Sequence, residues 1–478
     1  MNDQKKDTNS IKDDKIQISF KLIPESLAND IKQELKQYVE TLAQQDADLE
    51  KIEEYVSKIN SDDIISQYYG LNRCRKLLSD TIVAQPIESL IQKVLQTNIQ
   101  YNLFSIVKLN SIPLLKYEAL WIISNIVFGT QEQIQIILDN DGINILFLAL
   151  ESQYDELIEL GIWSLANIAA DNIKFRDMLL QQGILFHLKR IWKQYKNTKS
   201  ELIKTIVWAL SNLAKGKPTT KFRIRELIQI LSEIIISTND EEQLIDSSWS
   251  LSYLIQNIYE IDMQIDKRLI KKLKLLLNST KHTLIIPALK NIGNILSGND
   301  EQTNQVLQAG VLQSFEILLQ HKRKSIRREV YWSLSNIVAG TIPQIKQIIR
   351  NDQLLKSLFK QLKLSDLQIT KYIAFFVSNS AIYAELIDLE YLIVNYEFIQ
   401  KLSWLLDKND EQIIQATLEG ICKLIQKLQF EGKFAMYKQL IEDQKIIAKV
   451  IQLQSHPNET IYENALKILD NLVTQESI

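Results

Sequence analysis

The chain has little that would break, brace or catalyse: 12 glycines, 7 prolines, 2 cysteines and 4 histidines among 478 residues. So few breakers leave little room for an all-β chain, and 46 % apolar residues argue against a disordered one. Cys74 and Cys422 lie far apart, so no disulfide framework is expected and a reducing setting is. His187, His282, His321 and His456 are scattered, without cysteine or histidine partners at metal-ligand spacing, so no metal or other cofactor is expected. No apolar run approaches the length of a membrane span, and Met1 to Phe20 is too polar for a secretory signal. A soluble, intracellular protein without a membrane partner is therefore expected. The net charge of −3 speaks against a globally basic nucleic-acid binder. Phosphate-binding glycine loops and a nucleophile elbow are missing, and Glu159 and Glu242 read as surface charges. No catalytic residue is assigned, and an enzyme is not expected.

What the chain does have is a repeat. Trp121/Asn125, Trp163/Asn167, Trp208/Asn212 and Trp332/Asn336 are pairs four residues apart; Trp249/Tyr253, Lys290/Asn294 and Phe375/Asn379 hold the same places with one member changed. Their first members step by 41 to 45 residues, the period of helical solenoids of the armadillo and HEAT type. Members of a pair lie one helical turn apart and share a face. Stacked units turn that face into a row of aromatic and carboxamide groups suited to an extended peptide.

The punctuation agrees with this reading. Residues 1–22 lack an apolar stripe and read as a mobile tail. Residues 23–68 carry Leu27, Ile31, Leu35, Tyr38, Val39, Leu42, Leu49, Ile52 and Val56 at helical spacing and read as an amphipathic segment. The solenoid is expected over 69–475, with room for roughly ten three-helix units. Gly142, Gly183 and Gly310 each precede an apolar run and mark the turn between a short first helix and a longer second one. The third helix is predicted to end eight residues after the tryptophan position, at Gly129, Asp171, Gly216, Asn257, Gly298 and Gly340, residue types that tolerate a left-handed cap. Tyr383 breaks this rule, so the Phe375 unit is expected to be irregular.

The stretches YEALWIISNIVFGT (117–130), IWSLANIAAD (162–171), WALSNLAKGKP (208–218), DSSWSLSYL (246–254), IPALKNIGNILSGNDEQT (286–303), IRREVYWSLSNIVAGT (326–341) and IYENALKIL (461–469) resemble the importin-α family of armadillo proteins, as does RKLLSD (75–80) followed by PIESLI (86–91). That resemblance implies an all-α, right-handed armadillo superhelix whose third helices line a concave groove for Lys/Arg-rich nuclear localisation signals, in a protein shuttling between cytoplasm and nucleus. The implied major region comprises Trp121, Asn125, Gly129, Trp163, Asn167, Asp171, Trp208, Asn212 and Asp246, with Glu242 near it. The minor region comprises Lys290, Asn294, Glu329, Trp332, Asn336, Phe375 and Asn379, with phenylalanine where the family has a second tryptophan.

The chemistry suits such a ligand. Indole faces can hold lysine and arginine stems, with cation–π attraction of about 0.5–2 kcal/mol per contact. Carboxamides can pair with the backbone of an extended chain or, where buried, bridge adjacent units by capping or hydrogen bonding. Asp171, at a helix C-terminus, opposes the helix dipole at a cost of about 0.3–1 kcal/mol, a placement that fits a cationic ligand. Trp192 and Trp404 lie off the motif and read as core, and the basic run His321 to Arg328 reads as a solvated turn.

The N-terminus departs from the family, whose basic importin-β-binding segment also folds back onto the groove. Here no arginine precedes Arg73, and Lys5, Lys6, Lys12, Lys15 and Lys21 alternate with aspartates. Recruitment of importin-β and self-inhibition are both weakened, and a groove indifferent to loss of residues 1 to 22 is expected. The alternative function is a diverged armadillo scaffold that binds other linear peptides without importin-β-dependent transport.

Overall fold

A succession of short helices is what the chain forms. The computed structural model describes residues 8–79, 86–198, 201–256, 264–360, 362 and 366–473, and every regular element among them is a helix. They gather into two compact units, Met1–Leu231 and Ser232–Ile478, divided within helix Ile224–Ser237.

Ten third helices recur. In the first unit these are Ile64–Ser79, Pro113–Ile126, Asp155–Asp171 and Glu201–Ala214, each packed on the next. In the second they are Glu241–Leu254, His282–Leu296, Lys324–Ile337, Leu367–Tyr383, Glu411–Phe430 and Glu459–Val473, again packed in series. Each is named below by the residue at its tryptophan position, as the Trp163 helix. The Trp121 helix shows why they are apolar on most sides: it is covered by the third helices before and after it as well as by its own unit, and Leu114, Leu115, Leu120, Ile122, Ile123 and Ile126 are all buried. Burying such side chains contributes about 1.5–3 kcal/mol each, so stability is spread along the stack rather than held in one core.

Close approach sets local sequence. A Cβ at Gly293 would fall within the Trp332 ring, so only glycine lets that indole lie on the backbone of the preceding third helix. The predicted turn before the second helix is left-handed at Gly183 (φ 94°) and Gly310 (φ 77°), and in the Gly142 unit Asp141 takes that conformation (φ 71°). Asn98, Glu397 and Lys445 hold the same place in other units. The predicted left-handed caps need correction. Only Gly216 (φ 107°) is left-handed; Gly129, Gly298 and Gly340 are not. A Cβ at each of those three would strike the side-chain oxygen of Gln133, Gln302 or Gln344, the glutamine that closes the capping box of the following helix. Asn257 and Asp80 lie outside the described residues.

The N-terminal segment also differs from expectation. A helix, Thr8–Lys21, stands where a tail was predicted and packs on helix Asn29–Ala43. Its C-terminal end is fastened because Leu22 and Ile23 are buried and the Leu114 amide donates to the Leu22 carbonyl at 3.1 Å. Trp192 is core, whereas Trp404 is only half-buried, with Lys408 Nζ 3.5 Å from its ring.

Candidate functional site

In the first unit the structure brings Trp163 and Trp208 together. Their ring centroids lie 5.0 Å apart at 39°, and Trp163 keeps 49 % of its surface exposed. The two indoles touch, and Trp163 presents an open aromatic face between consecutive third helices. Trp121 is differently placed: Tyr117 meets it edge-on at 5.4 Å, and two cations lie over its ring, Arg75 at 4.6 Å and Lys15 at 4.9 Å. Arg75 is held by buried Glu118. Lys15 comes from the N-terminal helix, so the segment expected to be indifferent to the groove touches its first tryptophan.

The asparagines have a second employment. Asn125 donates from Nδ2 to Ser79 Oγ at 2.9 Å and Asn212 to the Ala166 carbonyl at 3.1 Å; in the second unit Asn294 donates to Ser252 (2.9 Å), Asn336 to Gly293 (3.5 Å) and Asn379 to Ser335 (3.1 Å) carbonyls. Each bond reaches the preceding third helix. The carboxamide therefore ties repeats together and has one N–H already committed. Asn167 differs: its Nδ2 is buried and has no partner in the structure, a donor left over beside the Trp163–Trp208 pair.

Asp171 is exposed at the last position of its helix, where Oδ2 accepts from Asn172 Nδ2 at 2.7 Å. Asn172 is extended and caps the next helix, so the aspartate is not serving a left-handed turn. It lines a cavity of about 400 Å³ with Asn212, Lys215, Gly216 and Arg176. The Arg176 guanidinium is committed to Asp177 and to the carbonyls of Lys215 and Pro218. At the other end of these helices stand Asp155, Glu156, Glu159 and Glu201. Glu156 pairs with Lys21, Glu201 with Lys204, Tyr195 donates to Asp155, and Thr205 donates to Glu159. Glu159 is not the surface charge the sequence suggested: it is partly buried, and burial followed by the charges of Glu201, Glu156 and Asp155 pushes its carboxyl above the usual range.

The second unit has an open cavity of about 410 Å³ lined by Trp249, Tyr253, Lys290, Asn294, Glu329 and Trp332. Trp249 and Tyr253 stack at 6.1 Å. Arg328, Gln368 and Tyr372 also line it, and no periodic signal pointed to them. Its electrostatics differ from those of the first unit. Glu329 is 6 % exposed and already held by Arg328 Nη2 (3.1 Å) and Lys290 Nζ (3.4 Å). Phe375 lies outside this lining, against Tyr372 at 6.4 Å with Lys371 Nζ 5.9 Å from its ring. Asp246, grouped by resemblance with the first-unit residues, sits half-buried on the Trp249 helix of the second. Among the described residues no helix is long and apolar enough to cross a membrane, and no cluster of metal-ligating side chains occurs.

Stacked three-helix units with aromatic and asparagine rows on the third helices define an all-α armadillo-repeat protein, and the Armadillo/beta-catenin-like repeat family matches residues 299–339. The fold also resembles the crystal structure of an engineered protein, with a TM-score of 0.70 at 21 % identity over 88 % of this chain and 99 % of that one. Importin subunit alpha-1b of Oryza sativa subsp. japonica is 31 % identical over 436 residues, spanning 90 % of this chain and 80 % of that protein. Importin subunit alpha-2 of Arabidopsis thaliana is 32 % identical over 437 residues, with coverage of 90 % and 80 %. The chain belongs to the importin-α family.

Proposed function

We propose that this protein is a nuclear import adaptor that binds Lys/Arg-rich localisation signals non-covalently, chiefly on the third helices of its first unit. The observation that carries this reading is the half-exposed Trp163 ring tilted against Trp208, with the Asn167 carboxamide one turn on and exposed Asp171 at the lip of a cavity. Lysine and arginine stems pack on the exposed indole face, their charges find the carboxylates, and the Asn167 carboxamide lies one helical turn away on the same face. The acidic end formed by Asp155, Glu156, Glu159 and Glu201 favours encounter with a cation over an anion. Nothing in this chemistry needs a cofactor or a covalent step, which fits a non-enzymatic adaptor moving between cytoplasm and nucleus.

Importin-β is the partner that separates an adaptor from a scaffold for other linear peptides. The scaffold reading rests on one feature, a first segment that is helical over Thr8–Lys21 and lacks arginine before Arg73. The decisive test of the peptide site is Asp171→Lys. A labelled single-cluster basic peptide should lose about tenfold or more in affinity, as expected when a groove carboxylate is replaced by a like charge, with unchanged helical circular dichroism. Unaltered binding by the variant would remove Asp171 from the site and favour the scaffold.

A further inference from the structure

The basic run His321 to Arg328 forms the turn and first helical residues of the Trp332 helix. Lys322, Arg323 and Lys324 are exposed, and Arg323 occupies the N-cap position. Arg327 folds back, donating from Nη1 to the carbonyls of His321 at 2.7 Å and Lys322 at 3.1 Å, so it pins the turn that presents the other three. His321 Nδ1 accepts from the Arg323 amide at 3.0 Å. Burial holds its imidazole below the usual range, with Arg323, Arg327 and His282 adding to the effect. The start of the Lys290 helix, at His282, therefore faces the same cluster.

Counter-charge is scarce there. Among the described residues the carboxylates in contact with this run are Asp366, 3.6 Å from Lys324 Nζ, and Glu329, which Arg328 shares with Lys290. The cations also stand at a helix N-terminus, where exposed N–H groups and the helix dipole already make the potential positive. Such a placement opposes folding locally, and an anionic partner would relieve it.

We propose that this edge of the second unit is a docking surface for an acidic segment of a protein partner, a short run of aspartate or glutamate side chains. The cations are concentrated in one turn, matching a few consecutive carboxylates rather than a long phosphate track. The run has no phenylalanine, tyrosine or tryptophan on which a base could stack. The surface uses none of the residues assigned to basic peptides, so the two readings stand or fall separately.

The test is fluorescence anisotropy with the full chain, titrated into a labelled decaglutamate peptide at low and moderate salt, beside a labelled single-stranded DNA ten-mer. Decaglutamate should bind, weaken as salt rises, and lose about tenfold in affinity when Lys322→Glu, Arg323→Glu and Lys324→Glu are combined. Affinity for a basic peptide should stay within about twofold, since the variant leaves the first-unit site intact. Circular dichroism checks folding, and the triple alanine variant replaces the glutamate one if the latter unfolds. Absence of decaglutamate binding, binding unaffected by both variants, or tighter binding of the DNA would overturn the proposal.

Discussion

At the scale of single residues, the same side-chain types carry different duties in different units. Five of the repeat asparagines span to the preceding third helix, while Asn167 leaves a buried donor without a partner. A lone buried N–H costs about 1–3 kcal/mol. Glu159 is a similar case on the acidic side, a carboxyl whose charge is disfavoured by burial and by like neighbours. Its folded pKa is raised, so the native state holds more protons than the unfolded one, and stability falls as pH rises through the carboxylate range. Glu159→Gln should therefore raise the melting temperature at pH 7, and the gain should disappear as pH drops below the ordinary value of 4.5. Thermal unfolding at several pH values would measure this; a gain that persisted at low pH would mean that the charge is not the cause.

At the scale of elements, the N-terminal helix Thr8–Lys21 is fixed to the first unit at three points: Lys21 on Glu156, Leu22 on the Leu114 amide, and Lys15 on the Trp121 ring. An incoming lysine stem at Trp121 must displace the Lys15 ammonium. A cation over an aromatic face is worth about 0.5–1 kcal/mol at exposed sites, so Lys15→Ala should tighten binding of a basic peptide by about two- to fivefold. Isothermal titration would detect it, and equal affinities would show that the contact does not compete.

That contact was not legible in the sequence, because a pairing 106 positions apart belongs to no repeat. The same holds for Arg328, Gln368 and Tyr372 in the second-unit cavity, which lie off the tryptophan and asparagine places. What the sequence carried well was the periodic part. Trp121 to Phe375 mark seven of the ten third helices, since the burial that fixes those helices repeats with the period. Cap glycines are legible in the sequence, but only Gly216 is left-handed; the constraint at Gly129, Gly298 and Gly340 comes from a glutamine four residues on and not from backbone handedness. Asp141, Asn98, Glu397 and Lys445 in left-handed turns escaped notice because packing around a turn can hold non-glycine residues there.

At the scale of the whole molecule, each unit has an aromatic-lined surface, and their charges differ. In the first, Trp163 is open and Asp155, Glu156, Glu159, Asp171 and Glu201 flank its row of third helices. In the second, Glu329 is buried between Lys290 and Arg328, and the tryptophan place of the Leu367–Tyr383 helix holds Phe375, a smaller ring that is a weaker cation acceptor than indole. A lysine entering the second cavity must displace cations already present, whereas one entering the first meets carboxylates partly engaged by exposed Lys21 and Lys204. Basic-peptide binding should therefore depend unequally on the two surfaces. Trp163→Ala should cost about tenfold or more for a single-cluster peptide, as loss of an aromatic anchor usually does, while Trp332→Ala should cost about threefold or less. Titration of both variants at two salt concentrations should also show the wild-type affinity falling with ionic strength, because Asp171 and Glu201 are solvent-exposed and screened. A larger loss from Trp332→Ala would place the principal site on the second unit, and would mean that Lys290 and Arg328 leave Glu329 when a cationic peptide arrives.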